Sequence, residues 1–332
     1  KISYNGFGQQ VQVRKPDGSV IQYKYSPAGD LIELVDSNNN ATKWQYNIRG
    51  LVTKKTYAND SSYTYSYNKL GQLTSKIDAM KNQTSLVYDR FGKLIKIDYT
   101  NDTDVEFNYN SIGQRISMTD AVGQTVWSYN SSGLTASETT PFGDNISYSY
   151  DTLDRKTQTT INQQLLTTNS YDSVGRIDTV TAEHDSEYKY DYHYLTQQVK
   201  AIKRNNAEVV QNQYDVLNRL TQKENKTTDN TLISAYNYKL NNADLRIKVA
   251  STNQLLSEST REYSYNLVNE LVSAKKYTEE NSIKTYDNDY KYTYNFNSMG
   301  NRVSADLTNF PLSYQSNDLN QYVQIFNPNG IT

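Results

Sequence analysis

The chain has 332 residues, with 34 Lys plus Arg against 36 Asp plus Glu, so it lacks the basic excess of a nucleic-acid footprint. It has no cysteine and only two histidines, His184 and His193, which removes disulfides, thiol nucleophiles and Cys-containing zinc sites together. Apolar residues reach 36% while tyrosine occurs 31 times and asparagine 37 times, a composition too aromatic for a disordered tail and too polar for an ordinary α/β enzyme.

No apolar run approaches the roughly 18 residues of a membrane-spanning helix. The chain opens at Lys1 without an initiator Met or a signal-peptide pattern, which reads as a piece of something longer. From Tyr25 onward a period is visible. Tyr25, Tyr46, Tyr67, Tyr88 and Tyr109 stand 21 residues apart; Tyr129 follows after 20, and Tyr150, Tyr171 and Tyr192 resume the 21 spacing. Four residues after most of these comes glycine (Gly29, Gly50, Gly71, Gly92, Gly113, Gly133, Gly175), so half of the 14 glycines occupy one phase of one period.

The recurring unit is Tyr-(Asn/Asp)-x-x-Gly-x-Leu, as in Tyr67-Asn68-Lys69-Leu70-Gly71-Gln72-Leu73. Asn or Asp followed by Gly is turn chemistry, with the polar side chain bonding its own backbone and Gly taking positive φ. Where Gly is missing, Asp154, Asn218 and Asn269 stand in, and these residue types tolerate the left-handed region best. Between turns the sequence alternates. Tyr63, Tyr65 and Tyr67 share one face, as do Val105, Phe107 and Tyr109, and Tyr188, Tyr190 and Tyr192, with polar residues between them. A second turn, such as Asp78-Ala79-Met80-Lys81-Asn82, closes each repeat. No segment keeps a helical period with caps. The expected fold is all-β, an antiparallel meander of about 21-residue two-strand repeats amounting to some two dozen strands. Sheets of that length coil rather than lie flat, and the tyrosines are expected to stack as cross-strand ladders.

After Tyr192 the beat loosens. Tyr214-Asp215-Val216-Leu217-Asn218-Arg219-Leu220 arrives 22 residues later, Tyr238 after 24, Tyr265 after 27 and Phe296 after 31. Two regions of one continuous sheet are therefore expected: 1–192 with regular repeats, and 193–332 with irregular repeats and longer loops, among them Glu224 to Asn230.

Candidate chemistry is sparse. His184 and His193 flank one strand beside Asp185 and Asp191, but a third ligand is missing, which favours a turn and a strand position over a metal. Asp102-Thr103-Asp104 and Asp287-Asn288-Asp289 place oxygen ligands alternately, yet calcium needs more ligands and a glycine bend, so both read as hairpin turns. Seven Asn-x-Ser/Thr sequons, at Asn40, Asn59, Asn82, Asn101, Asn130, Asn145 and Asn225, are about what chance gives in a chain this rich in Asn, Ser and Thr. No phosphate loop or Ser-His-Asp spacing occurs, and no catalytic, cofactor-binding or metal residue is assigned.

Tyr171-Asp172-Ser173-Val174-Gly175-Arg176-Ile177, with Tyr214 to Leu220, resembles the YD repeat of the Rhs family; Met299-Gly300-Asn301-Arg302-Val303 and Asn317-Asp318-Leu319-Asn320-Gln321-Tyr322-Val323 resemble segments late in the Rhs core. The family includes bacterial Rhs effectors, shell-forming components of insecticidal toxin complexes, wall-associated bacterial proteins and teneurins. The resemblance covers nearly the whole chain. It implies a long β-ribbon wound into a hollow shell that encapsulates and helps deliver a C-terminal toxic effector, itself non-catalytic, in a secreted or cell-surface bacterial protein. The implied partners are the flanking repeats and effector of its own parent chain and a delivery or secretion machinery. The alternative reading is an extracellular adhesion module that binds a glycan or receptor through an exposed β-face. Toxin members end their core with Asp-Pro and Gly-Leu elements tied to self-cleavage. Phe326-Asn327-Pro328-Asn329-Gly330 is a faint echo of these, so no protease residues carry over.

Overall fold

The computed structural model describes residues 1–182, 186–194, 196–254 and 258–327, and among them the chain is all-β, without a helix. Thirty strands form one sheet. Strands adjacent in sequence pair antiparallel, from Ile2–Tyr4 with Gln10–Arg14 to Pro311–Ser316 with Tyr322–Phe326. The strands outnumber the expected two dozen because the loosened repeats after Tyr192 still contribute strand pairs.

One repeat shows why these residues fold this way. In the Ser62–Tyr67 strand Tyr63, Tyr65 and Tyr67 are half-buried while Thr64 and Ser66 are exposed, the period-two pattern of a sheet with one wet face. A five-residue turn leads into Leu73–Ile77, and a second turn leads into Gln83–Tyr88. The two turns differ. At the tyrosine turn the register slips, Ser66 facing Ser75 but Tyr67 facing Leu73, so Thr74 is an extra residue. At the other turn Ser75, Lys76 and Ile77 face Ser85, Thr84 and Gln83 without a slip. The same slip recurs at Tyr25, Tyr46, Tyr150 and Tyr171. A bulge adds local right-handed twist, so twist is added to the sheet once per repeat.

Rings on the apolar face interleave with cations more than they stack on each other, which differs from the expected tyrosine ladders. Trp44 faces Lys55 and Tyr65 faces Lys76 across the strands. Lys76 Nζ lies 4.9 Å from the Tyr63 ring centroid and Lys156 Nζ 3.9 Å from that of Tyr148. Long cationic side chains cover apolar surface with their stems while their heads reach water, which explains how a chain this polar builds so long a sheet.

The chain divides into two units, residues 1–87, 98–102 and 260–332 forming one, and 88–97 and 103–259 the other. In the second unit the 21-residue beat dominates. In the first, stretches more than 260 residues apart in sequence meet turn against turn. Asn320 Nδ2 donates to Asp36 Oδ2 at 2.8 Å, Asn38 Nδ2 to Asn320 Oδ1 at 2.9 Å, and Ser298 Oγ to the Ser37 carbonyl at 2.9 Å. Lys15 Nζ donates to the Ser298 carbonyl at 3.1 Å. Asp36, at 7% exposure, is the one buried acidic group among the described residues.

The interior is thin. Among the described residues the buried hydrophobic side chains are Ala201, Ala235, Val249, Tyr277 and Ala305, and only Tyr277 is both large and fully buried. The loosened repeats lengthen strands as well as loops. Glu224 to Lys226, expected in a loop, extend the Leu220–Lys226 strand, leaving a turn at 227–231. Each added pair of residues gains ladder hydrogen bonds that a solvated loop would forgo.

Candidate functional site

The recurrent site of this protein is the tyrosine turn. Asn68 shows its parts. Its amide N–H donates to the Gln72 carbonyl and its carbonyl accepts from Gly71 N–H, both at 3.0 Å, while Oδ1 accepts from the N–H groups of Leu70 and Gln72 at 2.9 and 3.0 Å. Gly71 takes φ 84°, where a Cβ is unfavourable. The substitutes expected from sequence sit in the same region, Asp154 at 60°, Asn218 at 65° and Asn269 at 67°.

The tyrosine hydroxyl closes the turn onto the repeat before it. In the first unit Tyr25, Tyr46 and Tyr67 donate to the carbonyls of Gln10, Leu31 and Val52, each 15 residues back, at 2.7 to 2.9 Å. In the second, Tyr109, Tyr150, Tyr171 and Tyr192 do the same to Leu94, Thr135, Lys156 and Ile177 at 2.7 to 2.8 Å. The acceptor is a backbone carbonyl, which leaves no residue-type signal to find.

The residue that closes the turn reaches forward to the next one. Gln9 Nε2 donates to the Gly29 carbonyl at 3.1 Å, Gln114 Nε2 to that of Gly133 at 3.0 Å, and Gln198 Nε2 to that of Asn218 at 2.6 Å. Arginine there does three things. Arg176 pairs with Asp172 of its own turn at 2.7 Å, its guanidinium lies 4.3 Å from the Tyr192 ring centroid, and Nη1 donates to the Thr196 carbonyl at 2.5 Å. Arg219 repeats the pairing with Asp215 and adds Asp244 at 2.8 Å. Hydrogen bonds from Arg155 and Arg219 hold the Asp151 and Asp215 carboxyls below their ordinary range. Burial pushes the hydroxyls of Tyr150, Tyr192 and Tyr238 above theirs. This arrangement ties each turn to its neighbours.

The other singled-out residues scatter. Asp191 forms an ion pair with Lys203 at 2.6 Å. His193 occupies the Asn/Asp place of a tyrosine turn, half-buried, its ring edge-on to Tyr214 at 5.3 Å. His184, Asp185 and Pro328-Asn329-Gly330 lie outside the described residues. Asp102 and Thr103 belong to a connection between strands, and Asp104 pairs with Lys96 at 2.7 Å. Asp287-Asn288-Asp289, expected as a hairpin turn, instead lies within the Ile283–Phe296 strand, as a bulge opposite Lys276. Local Asn/Asp density signals a turn, but tertiary pairing absorbed these residues into the ladder. Among the described residues no group of three His, Asp or Glu side chains could hold a metal. The sequon amide of Asn82 donates to Asp78 of its own turn, and those of Asn145 and Asn225 donate to strand side chains, Thr139 and Ser234.

Sequence reasoning missed one cluster entirely. Tyr277, fully buried, donates to Glu262 Oε1 at 3.2 Å, beside the Lys284 ammonium, and Tyr286 donates to Glu262 Oε2 at 3.4 Å. The only sequence hint is the unusually long interval between Tyr265 and Phe296.

The model of the family described as Teneurin YD-shell matches residues 1–206. No curated protein matches the chain. Among solved structures, a Tc holotoxin pore of Photorhabdus luminescens carrying a TccC3 mutation is similar at TM-score 0.56 and 13% identity, over 98% of this chain and 23% of that one. A TcdB2-TccC3 crystal structure is 11% identical over 98% of this chain and 26% of that one, at TM-score 0.48. The chain thus spans about a quarter of the length of these solved chains.

Proposed function

The chain belongs to the teneurin YD-shell family, and from that premise we propose that it is a wall segment of a hollow β-shell that encloses a toxic effector domain and helps deliver it, the segment itself performing no catalysis. The observation that carries this reading is the family match over more than half the chain. Three features support it. The buried hydrophobic side chains are few among the described residues, whereas a solid domain of this length buries a large core. The hydrogen bonds of Asp36, Ser37 and Asn38 to residues 298 and 320 seat late turns against early ones within the first unit. The tyrosine turns spend most of their polar groups on one another, as a wall does.

Met299, at the same turn position as Leu70, is half-buried where the early and late turns meet, whereas Leu70 is 80% exposed. Successive coils of such a wall shield the apolar turn tips that a single coil leaves in water. The setting proposed is a secreted or cell-surface bacterial protein, with the flanking repeats and enclosed domain of its own parent chain and a delivery machinery as partners.

Limited proteolysis of the full-length protein tests containment. A segment outside the repeats is expected to survive protease in the native protein and to be cut once the wall is unfolded. Cleavage of every such segment at one rate in both states would contradict an enclosing role.

A further inference from the structure

We infer that the cleft at the bulge of the hairpin Leu271–Glu280 and Ile283–Phe296 is a binding site for a carboxylated sugar, its carboxylate held between Lys275 and Lys291 and its ring against Tyr286. The register across this hairpin runs Ala274 to Tyr292 and Lys275 to Lys291, then jumps to Tyr277 with Tyr286. Residues 287 to 290 therefore bulge out opposite Lys276 alone. Bulges of this size re-aim side chains and recur beside functional sites.

The bulge opens a cleft of about 250 Å³ lined by Lys275, Tyr286, Asp287, Asn288 and Lys291. Two lysines directly opposite on one sheet face repel, which a sheet normally avoids. Neither ammonium forms an ion pair among the described residues, while the neighbouring Lys276 and Lys284 are committed to Asp287 and Glu262. On its other side Lys275 faces Glu262, whose oxygens already accept from Tyr277, Lys284 and Tyr286, so an anion between the Lys275 and Lys291 ammonium groups relieves the repulsion that remains.

The remaining lining selects the anion's body. Tyr286 is held on one side, its ring 5.5 Å from that of buried Tyr277 and its hydroxyl on Glu262, and is still 47% exposed. A fixed aromatic ring with an open side packs against the apolar face of a pyranose. Asn288, exposed at the crest of the bulge, offers an amide with donors and an acceptor to sugar hydroxyls. Asp287 turns Oδ2 to Lys276 at 3.1 Å and Oδ1 to the Asp289 N–H at 2.9 Å, so its charge is spent locally. This inference stands apart from the wall reading, and its failure leaves that reading intact.

Titration of the whole chain with sialyllactose, lactose and acetate, followed by calorimetry or NMR, tests it. Sialyllactose is expected to bind at least about tenfold more tightly than lactose or acetate, and K275Q and K291Q each to weaken it by about tenfold. N288A, which removes no buried contact, is expected to weaken sialyllactose and leave acetate unchanged, with circular dichroism confirming the fold of every variant. Equal affinity for lactose, acetate binding as tightly as the trisaccharide, or sialyllactose binding that survives K275Q and K291Q would each overturn the proposal, as would no binding of sialyllactose at all.

Discussion

The strands from Val105 to Ala182 and the hairpin from Leu271 to Phe296 use the same residue types to opposite ends. In the former, each turn tyrosine is half-buried and its hydroxyl meets a backbone carbonyl of the preceding repeat, as Tyr171 meets Lys156 at 2.7 Å. In the latter, Tyr277 is fully buried and its hydroxyl meets a carboxylate, Glu262, at 3.2 Å. A backbone carbonyl is present whatever the sequence, so the first arrangement can be repeated indefinitely. A carboxylate has to be placed, so the second occurs once. Regularity builds extent, and the departure from it builds a particular site.

The comparison is broken most forcefully at Tyr277. Tyr277→Ala empties the only large, fully buried position among the described residues and is expected to cost about 3–5 kcal/mol, whereas Tyr171→Ala, half-exposed, costs clearly less. Urea unfolding followed by fluorescence measures both; equal losses would remove the distinction between hairpin and repeat. Gly175→Val puts a β-branched side chain at φ 88° and is expected to cost about 1–2 kcal/mol, while Asn218→Gly, already left-handed at 65°, stays near neutral. Removing only the clamp, in Tyr171→Phe, is expected to cost about 1 kcal/mol with an unchanged denaturant slope.

The smallest effects come from pH. Burial raises the Tyr150, Tyr192 and Tyr238 hydroxyls, so their contribution is complete below the ordinary value of 10.0 and is lost as pH climbs through the raised ones. Asp151 and Asp215 are lowered by their arginines, so their contribution is present above the ordinary value of 3.8 and fades as pH falls through the lowered ones. Denaturation midpoints are therefore expected to fall above pH 10 and again in acid, in both cases by less than the substitutions above. Arg155→Gln and Arg219→Gln together should reduce the acid-side slope without abolishing it, because Asp17, Asp78, Asp172, Asp229 and Asp287 are lowered by other partners, and should leave the alkaline slope unchanged.

Much of this fold can be read in the sequence because its signals are local. Alternation of Tyr63, Tyr65 and Tyr67, and left-handed residues at Gly71, Asp154 and Asn218, depend on a few neighbouring positions and on backbone sterics alone. What escapes is non-local or silent. The acceptor of Tyr171 is a main-chain carbonyl 15 residues away, and no residue type marks it. Nothing near Asp36 points to Asn320. Asp287-Asn288-Asp289 carries every local mark of a turn, and only the pairing of Lys275 with Lys291 reveals that the segment is a bulge and, with it, a cleft.

Electron cryomicroscopy of the full-length protein tests the central claim most directly. Density in which these repeats run as a curved wall around an enclosed volume, early turns seated on late ones through Asp36 and Asn320, is the result expected. A straight rod, or a sheet packed solidly on another domain with no space behind its tyrosine face, would contradict it.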